Sequence, residues 1–220
     1  MRSRPVSHRR QRRMLPHLAG IAAALALVAC GTPSQTHFYS LMPGEVVPSA
    51  AAASSGTRAL PIVLEPVRMP TQVDQPQWLV RLPDDSVAVL EQERWASPLR
   101  DEFRAALLEQ LIVGHGAIDA RTRPAPGPAP WHITVDVRRF DSLPGVEARI
   151  EGSWAIQGGA DRTASSRCEW LLREPAAGPM SALAASHRHA IARLGDAIAA
   201  ALARLARGET PTCPAPDERR

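Results

Sequence analysis

In three stretches between residues 131 and 172, hydrophobic and polar positions alternate. Ile133, Val135 and Val137 interleave with Thr134, Asp136 and Arg138. Val146, Ala148, Ile150, Trp154 and Ile156 interleave with Glu147, Arg149, Glu151 and Ser153. Ala164, Cys168, Trp170 and Leu172 interleave with Ser165, Arg167, Glu169 and Leu171. A period of two puts one set on a buried face and the other in water, which predicts three strands of a mainly antiparallel sheet. Upstream, residues 61–67 read as a further strand. Residues 77–82 and 86–91 read as a strand pair joined by the turn Pro83-Asp84-Asp85.

Two segments follow the helical period instead. Leu99, Phe103, Ala106, Leu107 and Leu111 fall on one face. Ser97 stands where a cap belongs, Pro98 suits the first helical position, Asp101 and Glu102 favour the positive end, and Gly114 supplies a stop. Over residues 181–207, Leu183, His187, Ile191, Leu194, Ile198, Leu202 and Leu205 form an apolar stripe at spacings of three and four. Arg193, Asp196 and Arg204 exclude a membrane span there. The expected fold is α+β, a mainly antiparallel sheet with two helices packed on one face.

The N-terminus follows neither period. Arg2, Arg4, Arg9, Arg10, Arg12 and Arg13 precede an apolar run over residues 18–29, which ends in Leu27-Val28-Ala29-Cys30. A basic head, a short apolar stretch and small residues are the layout of a secretory signal. The run is shorter than the roughly 20 residues a spanning helix needs. Its end resembles the box cut by the lipoprotein signal peptidase, so residues 1–29 are expected to be removed and Cys30 to carry the lipid. The Ala/Ser-rich residues 30–58 read as lipidated tether and linker, with a short strand at 38–41. Residues 59–208 read as a single domain, and the Pro-rich residues 209–220 as a disordered tail.

Charge changes its meaning once the signal is removed. The 26 basic residues are all Arg, against 22 acids, a net charge of +4. Six of those arginines precede Cys30, leaving 20 against 22 and a net charge of −2. The basic excess is therefore no argument for nucleic-acid binding. Of the other cysteines, Cys168 reads as a small buried hydrophobe and Cys213 as a free tail thiol, although an exported protein permits a bond between them. No Cys-x-x-Cys or Cys/His cluster suggests zinc.

Phe38-Tyr39-Ser40-Leu41 after the lipobox, Val67-Arg68-Met69-Pro70, Asp74-Gln75-Pro76-Gln77 and Arg94-Trp95-Ala96-Ser97-Pro98-Leu99 together resemble the PqiC (YmbA) family. The resemblance implies an auxiliary lipoprotein of an ABC-type system, partnered with an MCE-domain protein and assembling as a ring-like homo-oligomer. Its implied role is intermembrane lipid transport and envelope integrity. Gly31 after the cysteine favours the outer membrane, periplasmic face. Asp74, Gln75, Gln77 and Trp95 are the expected partner contacts, although turn chemistry and packing under the first helix explain the same residues. No cofactor is expected beyond the lipid on Cys30, no metal and no catalytic residue. His187 sits on an apolar stripe, His189 faces away from it, and Gly-x-Ser-x-Gly, His-Glu-x-x-His and P-loop patterns are absent. Asp136 and Glu151 read as surface charge. The competing readings are a passive envelope lipoprotein and, less favoured, a periplasmic hydrolase.

Overall fold

The structure, a computed structural model, describes residues 35–44, 59–123, 129–158 and 165–217. The signal, Cys30, Ala164 and most of the Ala/Ser linker lie outside the described residues. Strands β1 (His37–Tyr39), β2 (Pro61–Leu64), β3 (Gln77–Arg81) and β4 (Val87–Trp95) precede helix α1 (Leu99–Glu109), which passes into a π-helical turn, Gln110–Gly114. Strands β5 (Ile118–Asp119), β6 (Trp131–Leu143), β7 (Glu147–Gly158) and β8 (Ser165–Pro175) follow, and helix α2 (Met180–Ala206) comes last.

The fold is α+β as expected, but the strands form two mixed sheets. One runs β1-β4-β3, the other β5-β2-β6-β7-β8. The alternating stretches did pair antiparallel, β6 with β7 and β7 with β8. The parallel pairs are β1 with β4, β2 with β5 and β2 with β6. Parallel neighbours need a crossover of a dozen or more residues, and α1 lies in the connection from β2 to β6. Such pairing depends on where a distant strand lands, which alternation does not encode.

Helix α2 lies on β7 and β8, and α1 packs against α2. The seven stripe residues of α2 are all buried, as are Trp154 and Trp170. Two glycines set the close approaches. A Cβ on Gly152 would stand 2.2 Å from the Asp136 carbonyl oxygen and 2.7 Å from the Trp170 ring. A Cβ on Gly195 of α2 would stand 2.6 Å from Gln110 Cγ. Val146, expected to face inward, is exposed in the turn between β6 and β7.

The domain boundary also moves. The compact unit begins at Thr36, so β1 belongs to the domain and not to the tether. Leu41 is fully buried, and the Ala96 amide donates to the Tyr39 carbonyl at 2.8 Å. The Ala/Ser stretch falls between β1 and β2 in sequence, outside the described residues.

Candidate contact site

Asp74 does what Ser97 was expected to do. Its Oδ1 accepts the Arg100 backbone N–H at 3.1 Å, satisfying an open donor in the first turn of α1 from a separate loop. Its other oxygen pairs with the Arg100 guanidinium, whose pKa this hydrogen bond raises. The Asp74 side chain is only 3 % exposed. Pro98 takes the N-cap position without a side-chain bond, and the Ser97 hydroxyl donates to Glu102 Oε1 at 2.8 Å instead. Gln75, Pro76, Pro98, Arg100 and Asp101 surround the capped end together with Asp74, leaving a cleft of about 480 Å³. Gln77 lies in β3, half-buried, with its amide reaching Glu91 at 3.5 Å.

The four expected contact residues therefore divide. Gln75 is at the cleft, Gln77 is on the adjoining strand, and Asp74 is a structural cap. Trp95 is not at the surface: it is 3 % exposed, its ring centroid is 4.2 Å from that of Trp78, and it meets Phe140 edge-on at 6.1 Å. A ring covered on both sides has no face left for a partner.

Glu102, read in the sequence only as an acid favouring the helix start, organises this end of the molecule. Buried on α1, it accepts from the Ser40 hydroxyl at 2.7 Å, the Leu41 N–H at 2.8 Å and the Ser97 hydroxyl. Arg188 of α2 adds a bond to the Ser40 carbonyl at 3.1 Å. A carboxylate buried among so many donors avoids most of the desolvation cost. Its signal was present: Glu102 is three residues after Leu99 and four before Ala106, within the apolar stripe.

The C-terminal tail settles one open alternative and departs from one expectation. Cys168 and Cys213 form a disulfide, with Cα atoms 5.4 Å apart. Of residues 209–217, expected to be disordered, Glu209 and Thr210 bond to arginines at the end of α2, and Cys213 and Asp217 are fastened to β8. The Asp217 N–H donates to the Leu171 carbonyl at 3.0 Å, and the Arg173 N–H donates to Asp217 Oδ2 at 2.7 Å. Arg193 grips the same carboxylate with both guanidinium nitrogens, at 2.8 and 2.9 Å, and holds its pKa below the usual range. Unpaired strand edges invite foreign pairing, and this one is covered.

The remaining polar groups sit as read from the pattern. His187 is fully buried and stacks on Phe140 at 4.0 Å, its pKa pushed down to about 3 by burial. His189 is exposed, His115 reaches Asp196 at 2.8 Å, Asp136 pairs with Arg68 and Glu151 with Arg139. Among the described residues, no three metal-ligating side chains gather, and no helix is long and apolar enough to cross a membrane.

The sequence model of the ABC-type transport auxiliary lipoprotein components matches residues 39–199. The chain belongs to that family. The matched span runs from β1 to α2, takes in the cleft and Glu102, and ends before the clipped tail. Two solved structures share the fold of this chain. A Xanthomonas campestris protein of the DUF330 family is 17% identical, with 77% of this chain and 95% of that chain covered, at a TM-score of 0.58. An uncharacterized protein is also 17% identical, with 75% and 97% covered, at a TM-score of 0.55. No match is found among curated proteins.

Proposed function

We propose that this auxiliary lipoprotein is the outer-membrane subunit of an ABC-type intermembrane lipid transport system. It acts by assembly with an MCE-domain protein and with further copies of itself, and without a catalytic step or a cofactor. The family match carries the reading. The lipobox at Cys30 and Gly31 after it support the outer-membrane placement. The cleft at the start of α1 is the proposed docking surface, because Gln75 and Asp101 present polar groups there beside Pro76 and Pro98. Polar groups at such a rim set partner choice more than affinity.

The test is capture from solubilised membranes with identification by mass spectrometry. Wild-type protein should bring down an MCE-domain protein. The double variant Gln75→Arg, Asp101→Arg should lose most of it while melting within a few degrees of wild type. Failure of the wild type to capture an MCE protein from its own cells returns the protein to a passive envelope role.

A further inference from the structure

The chain between the lipid and the domain is short, and its far end is fixed. Six residue steps separate Cys30 from Thr36. An extended chain covers at most about 3.6 Å per residue, so Thr36 stays within about 22 Å of the acylated residue. At His37 the backbone enters the fold. β1 pairs with Glu93, Arg94 and Trp95, the Tyr39 ring packs on Trp78 at 5.0 Å, and Glu102 and Arg188 hold Ser40 and Leu41. The reach is therefore that of residues 30–36.

At this fixed end stands Phe38, at 66 % the most exposed large hydrophobic side chain among the described residues. Alternation along β1 turns it away from the core that Tyr39 enters. Met42, four residues on, is 40 % exposed. Single exposed hydrophobics are common on protein surfaces, but this ring stands within the short reach of the anchor, where the boundary between headgroups and acyl chains accommodates one. The tether makes the encounter intramolecular and raises the effective concentration of the lipid surface, so a single ring can suffice.

We infer that Phe38 is a membrane contact: the β1 end of the domain rests on the lipid surface with this ring in the interfacial layer. The inference rests on lipid attachment at Cys30. It places the α1 cleft at the membrane-proximal end, since Ala96, two residues before Pro98, bonds to Tyr39. A docking partner would then meet the subunit close to the bilayer.

The experiment uses full-length lipidated protein in vesicles of phosphatidylethanolamine and phosphatidylglycerol. A polarity-sensitive nitrobenzoxadiazole label is placed at Phe38→Cys or, as a control, at Val113→Cys. Val113 is exposed in the π-helical turn, eleven residues beyond Glu102 and at the other end of α1. The two remaining mature thiols are joined to each other and do not compete. At position 38 the emission should shift to the blue and be quenched several-fold more by nitroxide-bearing lipids than at position 113. Protein that floats with the vesicles while the label at 38 stays in water overturns the inference alone. A blue shift that grows with protein concentration and resists lipid quenching overturns it in favour of a second copy. Protein that does not float defeats the anchor reading as well.

Discussion

At His187 the physics is that of a base kept from its proton. Trp78 Nε1 donates to Ser142 Oγ at 2.8 Å, and Ser142 bonds His187 Nε2 at 2.8 Å, so β3, β6 and α2 meet through one hydroxyl. No charged group faces the ring, and burial alone lowers its pKa from 6.5 to about 3. The depressed value means the unfolded chain takes up a proton that the folded one refuses. The stability linked to His187 is therefore complete above pH 6.5 and is lost as pH falls from 6.5 towards 3. The slope is about 1.4 kcal/mol per pH unit within that window. Urea midpoints of wild type and His187→Gln should converge as pH drops from 7 to 4.5. Parallel curves would show that His187 does not bind this extra proton on unfolding. Sequence placed His187 in the core through its stripe position, but Ser142 and Trp78 as its neighbours come from strands 45 and more residues away.

Among the elements, α1 shows how a start signal can be misassigned. Ser97-Pro98 with acids in the first turn has the composition of a capped helix, yet the cap arrives from Asp74 on another loop. Pro98 is extended, at φ −50° and ψ 132°, and the Ser97 hydroxyl is engaged by Glu102. Asp74→Ala should therefore cost about 1–2 kcal/mol, as losing a cap does, with the denaturant slope unchanged. Asp74→Asn keeps an acceptor and should recover most of it. A surface contact residue would leave stability alone in both variants, which is the outcome that would restore the partner reading of Asp74.

For the molecule as a whole, the tail decides how the five-stranded sheet ends. The disulfide closes a sequence separation of 45 residues. Limiting the unfolded chain over that loop is worth about 2–4 kcal/mol. Cys213→Ser should lower the melting temperature accordingly and speed hydrogen exchange at the Arg173 amide, whose acceptor is Asp217. An unchanged melting temperature would mean that the tail is not clipped in the folded protein.

The sequence determined what is periodic or local. Alternation gave β6, β7 and β8 and their antiparallel pairing, spacings of three and four gave both helices and the buried face of α2, and the lipobox, with strings such as Phe38-Tyr39-Ser40-Leu41, pointed to the family. Tertiary structure alone decided what depends on distant segments meeting. It set β1 parallel to β4 and β2 parallel to β5 and β6, drew Asp74 to Arg100, buried Trp95 between Trp78 and Phe140, and joined Cys168 to Cys213. The physical reason is range. A residue's preference for helix, strand or turn acts through its neighbours in the chain, whereas hydrogen bonds, ion pairs and disulfides act across a few ångströms of space, whatever the separation in sequence.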